Sequence, residues 1–185
     1  MANKNKQSSG SSDISRLSPF DSEDKNLVQV IVETPRGSRN KFAYDPEQRV
    51  FQLKKVLPKG MVFPYDFGFV PSTKAEDGDP IDVLVLMEEP VPVGCLTKCR
   101  LIGVIEGQQT EKDEKKTVRN DRLLAVECGN HQYSEIGDMS DLSEKLLHEL
   151  EQFFVNYHRL EGGQFKVLDR RGARDALKLL KKAIQ

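Results

Sequence analysis

The sequence predicts an α+β fold, a small β-barrel with helices packed on its outside, and three observations carry that prediction. Between residues 27 and 127 the chain is divided into short β-branched and apolar runs, punctuated by Gly, Pro, Asp and Asn in the manner of strands and turns. Beyond that stretch the period changes. Leu142, Leu146, Leu147, Leu150, Phe153, Phe154 and Tyr157 recur at helical spacing, so one helix face packs on the barrel. The chain is 185 residues long and shows no internal repeat, which fits one domain with its own hydrophobic core. Short strands followed by helices then argue for a barrel with peripheral helices.

Residues 1–24 are rich in Ser, Asn, Lys and Gly and predict a disordered tail outside a domain spanning 25–185. Strands are expected over 27–32, ended by Thr34-Pro35-Arg36-Gly37, over 40–44, stopped by Asp45-Pro46, and over Val50–Val56. After the turn Pro58-Lys59-Gly60 come strands over 67–70 and 81–87, then a long one over 95–106, bent near Gly103. Its partner is 118–127, across a mixed-charge tip at 111–116 that needs no role beyond solvation. Asp141, with Glu144 three residues on, predicts a capped helix start. Ala173–Ala183 predicts a last helix with Ala176, Leu177 and Leu180 inward.

A formal net charge of −1 provides no electrostatic case for nucleic acid or an anionic membrane. No apolar run approaches the roughly 18 residues of a membrane span. The N-terminus has no signal-peptide apolar region, so a cytoplasmic location is expected. Cys95, Cys99 and Cys128 lack zinc-type spacing and are expected to be small buried thiols.

The chemistry concentrates in Asp77-Gly78-Asp79-Pro80-Ile81-Asp82, three carboxylates within six positions, followed by an apolar run to Met87. Gly78 and Pro80 predict a tight turn feeding a buried strand, with Asp82 at the strand mouth. Carboxylates on such a turn are hard oxygen ligands suited to Mg²⁺ or Mn²⁺. The spacing alone is equally compatible with a solvated acidic turn.

The stretch Asp77-Gly-Asp-Pro-Ile-Asp82-Val83 resembles the D-G-D-P-[IVM]-D-V signature of the soluble family I inorganic pyrophosphatases. Further matches fall in order along the chain: 30–35 with Glu33, Lys41-Phe42, the segment from Phe63 to Val70, and Phe153-Phe154-Val-Asn-Tyr157. The resemblance implies a five-stranded OB-like barrel flanked by C-terminal helices, hydrolysis of pyrophosphate, several Mg²⁺ ions, and a homo-oligomer. It implies metal binding at Asp77, Asp82 and Glu33, proton acceptance from the attacking water at Asp79, and phosphate contacts at Lys41, Lys55, Tyr157 and His158.

Other family positions are substituted. Ala43 stands for a Glu, Lys55 for an Arg, Phe63 and Phe67 for two Tyr, and His158 for a Lys. In the hairpin between Gly103 and Val126, Gln109 and Asn120 stand for two metal-binding Asp and Arg122 for a Lys. Asp113 and Asp121 are the carboxylates of the lengthened loop able to substitute, although strand alternation turns Asp121 away from Asn120. Amide oxygens bind Mg²⁺ weakly and neutralise nothing, so a full multi-metal cluster is not expected. Three readings therefore stand: pyrophosphate hydrolysis with reduced or altered metal demand, a non-catalytic homologue that binds phosphate or a partner, and hydrolysis of another phosphoanhydride.

Overall fold

The computed structural model describes residues 13–112 and 116–185. Five strands close a ring: β1 (Val28–Thr34), β4 (Asp66–Phe69), β5 (Asp82–Leu86), β8 (Arg122–Glu127) and β6 (Leu96–Thr110), which returns to β1. β2 (Asn40–Asp45) and β3 (Val50–Val56) form a separate hairpin, and β7 (Val118–Arg119) pairs with the far end of β6. Two helices complete the fold, α1 (Glu144–Leu160) and α2 (Ala173–Ala183), joined by β9 (Gln164–Gly172), which runs antiparallel to β6. This is the expected α+β barrel with C-terminal helices.

Strand alternation divides the core in two. Leu84 and Leu86 of β5 and Leu124 and Val126 of β8 join Leu147, Leu150 and Phe154 of α1. Val83, Val85, Leu123 and Ala125 point the other way and join Ala176 and Leu180 of α2. Both faces of these strands are therefore covered, which is why they read as continuous apolar runs rather than alternating ones.

One pairing positions the site. β5 and β8 run parallel, with Val83 opposite Leu123 and Leu86 opposite Val126, whereas every other strand pair among the described residues is antiparallel. Both strands thus enter the barrel from the same end, so the acidic turn before β5 and the hairpin before β8 share one mouth. The β2–β3 hairpin sets Lys41 opposite Lys55.

Several expectations need correction. Residues 1–12 and Asp113 lie outside the described residues, but 13–24 are not a free tail. Asp13 accepts from the Tyr44 hydroxyl at 3.2 Å, Asp21 is buried and pairs with Lys98 at 2.8 Å, and Phe20 bridges to Val28. Composition concealed two carboxylates with specific partners in the barrel. The cap of α1 is Ser143, whose hydroxyl accepts from the Leu146 amide at 3.2 Å, while Asp141 completes a capping box with Asp138 one turn earlier. The expected strand 118–127 breaks at Asn120-Asp121, because the Asp121 carboxylate takes the Gly107 amide at 3.0 Å in place of a ladder bond. Of the cysteines, Cys99 is buried, whereas Cys128 is exposed and Cys95 half-buried. Among the described residues, no helix is long and apolar enough to cross a membrane.

Candidate functional site

At the shared mouth lies a cleft of about 610 Å³. The turn contributes Asp77, Asp79 and Asp82, strand β1 Glu33, the β2–β3 hairpin Lys41, Ala43 and Lys55, and strand β4 Phe67. Gln109, Asn120 and Arg122 arrive from the β6–β8 hairpin, and Tyr157 and His158 from the end of α1. The expected metal-, proton- and phosphate-binding residues and the substituted family positions all line this cleft except Phe63, which sits behind it in the core, 5.3 Å from the Phe67 ring and 6.4 Å from that of Tyr157. Asp121 faces away, held by the Gly107 amide and by Arg119 at 2.6 Å.

The turn conforms to its sequence. Gly78 has φ +98°, a conformation that favours glycine, and the Asp79 amide donates to Asp77 Oδ1 at 3.2 Å. Glu33 and Asp77 feel the carboxylates beside them. Burial pushes Glu33 up to about 7, and the charges on Asp82 and Asp79 add to it, although Glu33 accepts from the Tyr44 amide at 2.7 Å. Asp77 is raised as well, first by burial and then by Asp82 and Asp79.

The opposite wall is cationic. Lys41 Nζ lies 5.5 Å from the ring centroid of Phe67 and 5.8 Å from that of Tyr157, and Lys55 Nζ lies 4.9 Å from the Tyr157 ring. Burial would lower the Lys55 pKa, but Glu161 and, after it, the nearby Tyr157 hydroxyl outweigh that, so the ammonium is held charged. His158 is different. Burial first, and then the charges of Arg122, Lys41 and Lys55, depress it to about 4, so it is neutral at pH 7.

Arg122 is the most constrained group. Its side chain is 4% exposed, Nη1 pairs with Asp82 Oδ2 at 2.7 Å and donates to Asn120 Oδ1, and Nη2 reaches Gln109 Oε1 at 3.3 Å. The guanidinium carbon lies 5.3 Å and 5.6 Å from the ring centroids of Phe154 and Phe165. Among the described residues, two buried side-chain polar atoms lack a hydrogen-bond partner, Arg122 Nε and Tyr157 Oη, and both residues line the cleft. Buried polar groups are ordinarily satisfied, so a pair of orphans in one cleft marks a place for a polar ligand.

The donor set fits a hard divalent cation at the acidic turn, where carboxylate oxygens are concentrated and Glu33 is destabilised as an anion. It does not fit further cations on the hairpin side, where Arg122 already engages the Asn120 and Gln109 oxygens. Among the described residues, no three His, Cys, Asp or Glu side chains stand together as a ready-made metal site. Sequence reasoning missed Tyr44 and Ser15 on the cleft wall and Glu161 as the partner of Lys55. Ser15 was hidden in the expected tail, and Glu161 stands in no motif.

The family model described as inorganic pyrophosphatase matches residues 30–185. A soluble inorganic pyrophosphatase 2 of Chlamydomonas reinhardtii is 37% identical over 159 residues, covering 86% of this chain and 80% of that protein. The crystal structure of the inorganic pyrophosphatase from Thermus thermophilus superposes with a TM-score of 0.84 at 32% identity, covering 93% of this chain and 97% of the other. That of Helicobacter pylori superposes with a TM-score of 0.80 at 31% identity, covering 88% and 94%.

Proposed function

The chain belongs to the inorganic pyrophosphatase family, and from that premise we propose that its cleft hydrolyses pyrophosphate to two phosphates. The observation that supports this reading most is the cleft itself, which gathers Glu33, Asp77, Asp79 and Asp82 with Lys41, Lys55 and Arg122 and with two unpartnered buried donors. That polarity suits a multiply charged anion presented together with a divalent cation. Asp77 and Asp82, with Glu33 at the edge, would hold this cation, for which Mg²⁺, or Mn²⁺ in its place, suits the hard oxygen donors. When bound, it supplies charge neutralisation and a lowered pKa for nearby water.

The protein's own groups do the rest. Lys41 and Lys55 take the phosphoryl oxygens of one phosphate, the Tyr157 hydroxyl donates to the substrate, and the neutral His158 limits positive charge beside Arg122. The Asp79 carboxylate accepts the proton as a water oxygen attacks phosphorus. The bridging P–O bond breaks and its electron pair leaves with the second phosphate. Phe63 and Phe67 keep the shape of the wall without hydroxyls, and Phe67 instead offers its ring to Lys41.

Phosphate release from pyrophosphate, measured with Mg²⁺ and with Mn²⁺, tests the reading. Turnover is expected in the parent chain and a loss of at least about 100-fold in Asp79→Asn. Absence of phosphate release together with retained pyrophosphate binding would instead favour a binding module.

A further inference from the structure

We propose that the Arg122 guanidinium is a fixed cation standing in for a divalent ion, so that this chain carries its metal at the Asp77–Asp82 turn and none on the hairpin side. The inference rests on the pyrophosphatase reading of the cleft, and goes beyond it by assigning part of the positive charge to the protein.

Three observations carry it. First, the guanidinium engages the very oxygens that a hairpin-side ion would need, Asn120 Oδ1 and Gln109 Oε1, and it shares Asp82 with the turn. Second, it is enclosed: the side chain is 4% exposed, and the guanidinium carbon lies 5.3 Å and 5.6 Å from the ring centroids of Phe154 and Phe165. A planar guanidinium can stack and fork in this way, whereas an ammonium cannot. Third, the acceptors match the donor. Carboxylates at 109 and 120 would attract a dication, but neutral amides around a monocation leave the local charge close to balanced once Asp82 is counted. Nε itself is buried and has no hydrogen-bond partner.

The consequence is competition. With Arg122 2.7 Å from Asp82 Oδ2, any cation bound at the turn shares that carboxylate with a resident positive charge. Removing the guanidinium should therefore strengthen metal binding, the reverse of what loss of a merely structural side chain would do.

Mn²⁺ titrated into metal-free protein without pyrophosphate, with free ion followed by electron paramagnetic resonance, tests this. The wild type is expected to bind one Mn²⁺ per chain. Arg122→Met should bind that ion about tenfold more tightly, and Arg122→Gln provides the same comparison if the Met variant does not fold. The triple variant Gln109→Asp, Asn120→Asp, Arg122→Lys should bind at least two. Two or more ions in the wild type, unchanged or weaker affinity on removing the guanidinium, or an unchanged count in the triple variant would each overturn the proposal. Phosphate release is scored separately: an inactive wild type with the expected Mn²⁺ behaviour refutes the hydrolase reading and leaves the role of Arg122 standing.

Discussion

Replacing Glu33 by Gln should make the metal-free protein more stable at alkaline pH and leave it unchanged in acid. Glu33 is buried, and its carboxyl is raised from 4.5 to about 7 in the fold. A group that holds its proton more tightly when folded contributes stability that is complete below 4.5. That stability declines as pH rises and is gone above about 7. The displacement corresponds to about 3 kcal/mol at most. Gln keeps the oxygen that accepts from the Tyr44 amide at 2.7 Å, so the substitution removes the charge and spares the contact. The wild-type profile alone would hide the effect. His158, depressed from 6.5 to about 4, contributes stability that is present above 6.5 and lost as pH falls, so the two groups oppose each other across one window. The assay is urea denaturation of wild type and Glu33→Gln in chelator from pH 4 to 8. The two should converge near pH 4, with the variant ahead by about 2–3 kcal/mol at pH 8. Mg²⁺ added at pH 8 should narrow that gap by favouring the charged carboxylate. Parallel curves at all pH values would refute the reasoning, because they would mean that Glu33 titrates alike in the folded and unfolded states.

Tyr157→Phe removes a buried hydroxyl that has no partner, so it should leave thermal stability equal or slightly higher while weakening pyrophosphate binding measured by calorimetry. Gly68→Ala would set a Cβ 2.0 Å from the Ile31 carbonyl oxygen, a backbone atom with nowhere to move, and should cost about 3 kcal/mol or more in denaturant unfolding. Arg170→Met should cost about 1–3 kcal/mol, since Glu151, which Arg170 holds at 2.6 Å and 2.9 Å, would be left buried without its partner. Deleting residues 1–24 should lower the melting temperature by several degrees, because Asp21 and Asp13 lose their contacts with Lys98 and Tyr44.

The barrel and the cleft were legible to different depths. β1 and β5 announced themselves as apolar runs bounded by turn residues, and the register that follows from their burial brought Glu33 and Asp82 to one mouth. The three turn carboxylates were legible because Gly78 and Pro80 leave that segment few other conformations. β9 was not, since Gln164–Gly172 alternates charged and apolar residues without β-branched enrichment and is held by its ladder to β6. Arg122 was legible as a substituted lysine but not as the hub it is. Its contacts with Gln109, Asn120, Asp82, Phe154 and Phe165 come from five elements or their edges, and no local pattern records such a convergence. The partnering of 13–24 was hidden for the same reason: Asp21 meets Lys98 across 77 positions of chain.

The parallel pairing of β5 with β8 has a consequence for the order in which the protein acquires its chemistry. Val83 and Leu123 are forty positions apart, and the strand between them, β6, must reverse against β8 before the parallel ladder can form. Closing so long a segment is entropically costly and belongs late in folding. Asp82 and Arg122 meet only when that ladder is in register, so collapsed chains with most strands formed still lack the cleft's central ion pair. Pyrophosphate would then recognise the completed barrel alone and draw the last step of folding forward by mass action. A nascent chain, by the same logic, is chemically silent until β8 has been made and seated.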